Sequence, residues 1–444
     1  MPLFKKLRPA LCLGWIGLAL SAAVTASAQL GYTYWLTGSG ADANTQPLPG
    51  LLLAGGGPDN DDAMRWLLQR ANGGDVVIIR ASGADGYNDY LYSELGVSVN
   101  SVETIRFDAA SAAYDSAVIA RIRGAEALFI AGGDQYVYYN YWKDTPIEDA
   151  IHYLLHEKRI TVGGTSAGMA ILGQAYYVPA GASATSGVAL ANPYHSTLEG
   201  VLTDDFIEHP LMQGVITDTH YAQRNRFGRH LVFMGRLALQ TNEPVYGIAC
   251  NEGTAVAITD DGRASVFGEY PAYADFAYFL QTQCAPPLLP EVMQPNSPLT
   301  WNQSMAALKV YKAPGTTSAQ NNFDLNDWAS GSGGVWEHWW ANNGAFNTAP
   351  GSGPNCTPTA AGEPVGEAIA FSVAPNPARE EAFVRLSGAA TPPLTLRLFN
   401  ALGQPVRQWP GNTLQLNLDN LPNGYYRLMV IWPDRQLTQS LIRQ

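Results

Sequence analysis

The pentapeptide Gly164-Thr165-Ser166-Ala167-Gly168 is the segment of this sequence best equipped for chemistry. A G-x-S-x-G run between a strand and a helix puts its serine on a sharp turn, with the hydroxyl exposed as a nucleophile. Such a turn is strained, and flanking glycines let neighbouring chain approach without Cβ clashes. The following helix start leaves amides unbonded, so the Ala167 N–H can stabilise a developing oxyanion. The loop Gly55-Gly56-Gly57 offers a second donor, with Gly56 and Gly57 as candidates. A plain N-cap serine before a packed helix would leave the same five residues. The preceding strand and the second glycine loop favour the nucleophile.

A serine hydroxyl needs a base. The chain has seven histidines. His152 and His156 are spaced i, i+4 on a helix ahead of the serine and read as surface or packing residues. His220 stands out, because it follows the apolar Val215-Ile216-Thr217 and lies between Asp218 and Tyr221. Glu252, at the end of the strand Val245–Cys250, is an acid able to orient it. A lone histidine is more often structural, and a strand-end glutamate is usually only solvated. Pattern alone leaves the base and the acid open.

The elements that must position these residues alternate along the chain. Leu51–Ala54, Val76–Ile79, Val102–Phe107, Ala127–Ile130 and Ile160–Val162 read as strands. Asp61–Ala71, Ala112–Arg123 and Ile147–Lys158 read as helices. Alternation of this kind implies right-handed crossovers and a parallel sheet covered on both faces. Glycine clusters close three of the strands, at the sheet edge where open α/β folds bind ligands. After His220 the pattern turns more β-like, with strands at Val245–Cys250, Ala255–Ile258, Ala264–Phe267 and Ala307–Tyr311. Asp260-Asp261-Gly262 is a turn between two of them. An aromatic-rich stretch with Trp328, Trp336, Trp339 and Trp340 is expected to pack.

Composition narrows the class. Hydrophobic residues make up 46% of the 444 and charged residues 14%, so a large core can be buried. The 26 Lys and Arg against 38 Asp and Glu give a net charge of −12, which argues against nucleic acid as a partner. Lys5, Lys6 and Arg8, an apolar run from Ala10 to Leu20, and Ala26-Ser27-Ala28 read as a signal peptide over residues 1–28. The apolar run is too short for a stable membrane span, and none later reaches the ~20 residues required. The mature chain keeps Cys250, Cys284 and Cys356, an odd number. Cys250 reads as a buried core thiol, and pairing of Cys284 with Cys356 stays open. No cysteine or histidine cluster suggests a metal, and no cofactor is expected.

Asn347–Glu367 is rich in Pro, Gly, Thr and Ala and reads as a linker. Beyond it, short alternating runs at Phe371–Val373, Ala382–Leu386, Leu394–Phe399, Leu414–Leu418 and Tyr425–Ile431 predict a small β-sandwich. The expected division is a signal peptide at 1–28, a catalytic domain at 29–346, a linker at 347–367 and a sandwich at 368–444.

Taken together, the motifs resemble those of cyanophycinase-like serine peptidases, relatives of bacterial dipeptidase E. Ala54-Gly55-Gly56-Gly57 resembles the family's first glycine loop, and Ala131-Gly132-Gly133-Asp134-Gln135 its GGDQ loop. Gly164–Gly168 resembles its GTSAG elbow. Asp218-Thr219-His220-Tyr221, continuing to Arg224, Arg226, Gly228 and Arg229, resembles D-x-H-F…R-x-R-x-G-R. Asn251-Glu252-Gly253-Thr254-Ala255 resembles D-E-x-T-A. The resemblance runs from Leu51 to Phe267 and is expected to reach Phe346. It implies a flavodoxin-like, mostly parallel sheet, related to class I glutamine amidotransferases, with helices on both faces. It also implies a triad of Ser166 as nucleophile, His220 as base and Glu252 as orienting acid. Asp134, Gln135, Asp218, Arg224 and Arg226 would face the substrate, with Arg224 the candidate for a substrate carboxylate. Arg226 and Arg229 could equally be structural ion pairs. Thr219 and Asn251 depart from the family's usual Gln and Asp, so specificity for cyanophycin does not follow.

Ala374-Pro375-Asn376-Pro377, Asn400-Ala401-Leu402-Gly403-Gln404 and Leu421-Pro422-Asn423-Gly424-Tyr425-Tyr426 resemble type IX secretion sorting domains. That resemblance implies export from a Gram-negative cell by way of the periplasm. The expected partners are a peptide or cyanophycin-like substrate and the type IX machinery, with homodimerisation left open. Two competing readings are a catalytically silent binding protein and an α/β-hydrolase esterase. The esterase needs a late histidine, and only His338 qualifies.

Overall fold

The structure is a computed structural model. It describes residues 31–203, 206–283, 288–354, 370–376, 378–387, 395–400, 405–431 and 436–443. The signal-peptide residues, Cys284, Cys356 and most of the linker lie outside the described residues. The chain divides into two compact units, with the boundary between Asn355 and Cys356.

In the first unit, β1 (Tyr32–Gly38), β2 (Gly50–Ala54), β3 (Asp75–Arg80), β4 (Ser101–Phe107), β5 (Ala127–Ile130) and β6 (Thr161–Thr165) alternate with helices. These helices are α1 (Asp61–Arg70), α2 (Gly86–Asp89), α3 (Ser116–Gly124), α4 (Gln135–Trp142) and α5 (Pro146–Tyr153). Five strands, in the order β4-β3-β5-β6-β2, are parallel. Their side chains alternate between two cores, as strand periodicity requires. Leu52, Val76, Ile78 and Phe129 pack with Met64, Leu67 and Leu68 of α1. Leu51, Leu53, Val77, Ile79 and Ile130 pack with Val118, Ile122, Ile147 and Ile151 of α3 and α5. Helices therefore cover both faces, as expected.

Helix starts follow local capping chemistry. Asn60 accepts the Ala63 N–H, Asp134 the Tyr136 N–H and Thr145 the Ile147 N–H. The single helix predicted over Ala112–Arg123 is instead a 3-10 turn at Ala110–Tyr114 and then α3, because Asp115 caps a fresh start. The predicted Ile147–Lys158 helix is α5 followed by a π turn over Leu154–Lys158.

The remaining elements include α6 (Ala167–Ala170), the pair β7 (Tyr176–Tyr177) and β8 (Val201–Leu202), and α7 (Ser186–Ala191). Next come β9 (Val215–Asp218), α8 (Phe227–Thr241), β10 (Tyr246–Cys250), β11 (Ala255–Thr259), β12 (Arg263–Phe267) and β13 (Phe276–Thr282). The unit closes with β14 (Leu308–Pro314), β15 (Asn322–Asp324), β16 (Gly331–Ser332), β17 (Val335–Asn342) and β18 (Ala345–Pro350). Strands β11, β12, β15 and β16 extend the first sheet in antiparallel fashion beyond β2. The others build a second sheet, β18-β17-β14-β13-β10-β9, parallel only between β9 and β10. Of this second sheet the sequence reading anticipated β10, as Val245–Cys250, and β14, as Ala307–Tyr311, but not the other strands or their pairing. The sheet draws Trp336, Trp339 and Trp340 into β17 and carries strand through Asn347–Pro350, residues expected to belong to the linker.

In the second unit, β19 (Ala370–Ala374), β20 (Glu381–Ser387) and β23 (Gln415–Asn417) form one sheet. A second holds β21 (Thr395–Asn400), β22 (Pro405–Pro410), β24 (Gly424–Ile431) and β25 (Gln436–Arg443). Val384, Leu398, Leu416 and Leu428 meet in a common core, as a sandwich requires.

Candidate active site

Ser166 stands between β6 and α6 with φ 53° and ψ −111°, a region that L-residues adopt only under strain. The flanking glycines are sterically required. A Cβ on Gly168 would sit 2.0 Å from the Ile130 carbonyl oxygen, and one on Gly164 would sit 2.5 Å from the Gly168 carbonyl carbon. His220 follows β9, and its Nε2 lies 2.7 Å from Ser166 Oγ. Glu252 follows β10, and its Oε1 lies 2.5 Å from His220 Nδ1. The serine thus comes from the first sheet, and the histidine and glutamate from the second.

The glycine loop after β2 joins them through its backbone. The Ser166 N–H donates to the Ala54 carbonyl at 3.0 Å, and the His220 N–H to Gly55 at 2.8 Å. Gly253, next to Glu252, donates to Gly56 at 3.1 Å. Gly56 and Gly57 both have positive φ, and a Cβ on Gly56 would reach within 2.5 Å of His220 Cε1. One on Gly57 would lie 2.9 Å from Glu252 Cβ. Ala167 opens α6 directly beyond Ser166. Gly132, missed as a site residue, also closes on the serine: a Cβ there would stand 3.6 Å from Ser166 Cβ. Its signal was present in the GGDQ loop at the end of β5, the neighbour of β6.

Burial holds the His220 imidazole below its ordinary value. The hydrogen bond to Glu252 opposes that shift, while Arg224 and Arg226 push it further down. The balance favours the neutral ring. With Nδ1–H donated to Glu252, Nε2 is left as an acceptor for the serine proton. The Glu252 side chain keeps 32% of its surface exposed against 7% for His220.

The residues expected to face a substrate divide. Asp134 is exposed and caps α4, while the Gln135 amide donates to the Tyr177 carbonyl at 3.2 Å. Arg224 is exposed at the turn after His220. Asp218 does not face solvent. It is buried and receives both Nε (2.8 Å) and Nη2 of Arg229. Burial alone would raise its carboxyl, but Arg229 and then Arg226 outweigh it and hold the group below the ordinary range. Arg226 is also engaged, donating to Thr219 O at 2.9 Å and Thr219 Oγ1 at 3.0 Å. Two cations and one acid brought under the surface pair with each other before they can serve a ligand.

His338 lies in β17 beside Lys309 Nζ at 2.8 Å, so the late histidine of the esterase reading has another partner. Cys250 is buried, with its thiol pushed well up by burial. A cavity of about 320 Å³, which sequence reasoning missed, is lined by Asp59, Arg80, Tyr87 and Tyr90 among others. Tyr87 donates its hydroxyl to Asp59 Oδ2 at 2.5 Å, and burial raises the Asp59 carboxyl. These residues come from separate segments, and only the fold assembles them.

Known proteins resemble parts of this chain. The model of peptidase family S51 matches residues 86–266, and that of the secretion system C-terminal sorting domain matches residues 372–444. Similar relatives include a cyanophycinase of Synechococcus elongatus, 27% identical over 228 residues, which are 49% of this chain and 66% of that protein. Another is a cyanophycinase of Geminocystis herdmanii, 30% identical over 143 residues, 32% of this chain and 46% of that protein. The chain thus spans just under two thirds of the length of the Synechococcus relative. Among solved structures, a peptidase from an acI-B1 Actinobacterium aligns with TM-score 0.37 at 15% identity, covering 54% of this chain and 96% of that one. A putative peptidase E protein of Listeria monocytogenes aligns with TM-score 0.31 at 14% identity, covering 50% and 99%. Residues 86–266 of this chain thus match the model of peptidase family S51, and residues 372–444 match that of a secretion-system C-terminal sorting domain.

Proposed function

We propose that this protein is an exported serine peptidase that cleaves peptide or isopeptide bonds through an acyl-enzyme on Ser166. The observation that carries the reading is the hydrogen-bonded line from Ser166 Oγ through His220 to Glu252, at 2.7 and 2.5 Å, on a strained elbow. In this reading His220 Nε2 takes the serine proton as Oγ attacks the carbonyl carbon, and Glu252 stabilises the imidazolium. The proton passes to the leaving amine, and water then releases the acyl group by the reverse route. The Ala167 N–H faces the developing oxyanion, with the second donor from Gly56, Gly57 or Gly132.

Asp-containing or cyanophycin-like chains are the proposed substrates, because the relatives are cyanophycinases. Arg224, exposed near the base, is the proposed contact for a substrate carboxylate. The sorting domain is proposed to hand the protein to type IX secretion after it crosses the periplasm.

A serine-directed fluorophosphonate and a peptide library containing cyanophycin and isoaspartyl dipeptides test the reading together. Labelling at Ser166 is expected, with cleavage lost by ~10³-fold or more in Ser166→Ala. Near-normal hydrolysis by purified Ser166→Ala protein would overturn it.

A further inference from the structure

Asn251 sits between the last residue of β10 and Glu252, and only 1% of its surface is exposed. Its side chain makes two bonds of opposite sense. Oδ1 accepts the Ala222 N–H at 3.1 Å, and Nδ2 donates to the Ala274 carbonyl at 2.7 Å. Ala222 is two residues past His220. Ala274 lies in the loop that joins β12 to β13 and carries the exposed Tyr270 and Tyr273. The backbone adds to the tie, because the Asn251 N–H donates to Phe276 at 3.0 Å and the Tyr221 N–H to Cys250 at 3.2 Å.

From this geometry we infer that Asn251 is a positioning residue: it clamps the His220 turn to the strand end bearing Glu252 and fixes the length of the His220–Glu252 bond. The inference rests on the triad reading above. Only an amide meets both bonds at neutral pH, since it is donor and acceptor at once. A carboxylate would satisfy Ala222 but turn an oxygen lone pair toward the Ala274 carbonyl, from a side chain that is itself buried. Asn therefore suits this position better than the Asp of the resembled motif.

A carboxyl introduced here would share its surroundings with Glu252, with Arg224 and Arg226 near His220, and with Asp275 and the Tyr278 phenol. Protonated, it could still donate to Ala274. Ionised, it would lose that bond and add negative charge beside His220.

The test uses the full chain and two readouts, each over a range of pH. One is the second-order rate of Ser166 inactivation by the fluorophosphonate. The other is the Nδ1 proton resonance of isotope-labelled His220, which reads the bond to Glu252 without turnover. Asn251→Ala is expected to lower the rate about tenfold at every pH, as small misplacements of a catalytic group do, and to shift the resonance. Asn251→Asp is expected to approach the wild-type rate on the acid side and to fall away from it as pH rises and its carboxyl ionises. A merely structural residue would change thermal stability and leave the rate of folded protein and its pH profile alone. The clamp is overturned if Asn251→Ala keeps the wild-type rate and resonance, or if Asn251→Asp follows the wild-type pH profile throughout. Failure of the wild-type protein to label at Ser166 would instead sink the peptidase reading, and the resonance would still decide the clamp.

Discussion

Two acids lie close to His220, and they meet opposite environments. Asp218 ends β9 fully buried, both oxygens taken up by Arg229 and one shared with Arg226. Glu252 follows β10, keeps about a third of its side chain exposed, and spends Oε1 on His220. The first arrangement ties both oxygens into buried ion pairs, so it holds shape. The second leaves the acid partly solvated and aimed at a single titratable ring. Asp218 is the nearer of the two to His220 in sequence, yet it is Glu252 that is bonded to the ring.

Substitutions can break this contrast. Asp218→Ala should cost about 3–5 kcal/mol of stability, because it strands the buried Arg229 guanidinium without a counter-charge. Thermal melting checks it, and a variant melting with the wild type would show that Arg229 finds another partner. Glu252→Gln should instead leave the melt nearly unchanged while kcat drops by about 10²-fold, with little change in KM. Full kcat in that variant would move the orienting role elsewhere.

A smaller effect concerns Arg224. Its charge helps to hold the His220 imidazole below its ordinary value, so removing it raises that pKa. The base must be neutral to act, and the acid limb of kcat/KM therefore moves to higher pH in Arg224→Gln. A shift of under about one pH unit is expected for an exposed charge. Movement to lower pH would contradict the electrostatic account.

The smallest expected effect separates the two units. A chain ending at Asn355 keeps β18 whole and should hydrolyse peptides like the full protein. Cutting at Phe346, the boundary expected from composition, removes Asn347–Pro350 from their pairing with β17 and should lower the melting temperature. In the native host either truncation is expected to strand the enzyme in the periplasm; normal levels in the medium would refute the export role of the tail.

Much of the parallel core was legible because its strands are unbroken apolar runs. Ala127–Ile130 appears with the predicted limits, and the elbow is recognisable from five residues. The second sheet was legible in β10 and β14 and not in the strands around them. Strand β13, FAYFLQT, is buried at six of its seven positions and β17 carries Trp, Glu and His in succession, so neither shows the two-residue period of a half-buried strand. Their place is set by antiparallel partners far along the chain. The role of Asp218 was obscured for a related reason: a D-x-H motif does not say which acid a distant arginine will claim.

The three consecutive carbonyls of Ala54, Gly55 and Gly56 act as a gauge block. Each holds one corner of the Ser166, His220 and Glu252 arrangement by a main-chain bond. None of the three contributes a reactive side chain, so the spacing of the site is stored apart from its chemistry. The main-chain bonds to Ser166 and His220, and to Gly253 beside Glu252, do not depend on which side chains those positions carry. Conversely, a shift of this one loop would put all three out of gauge together.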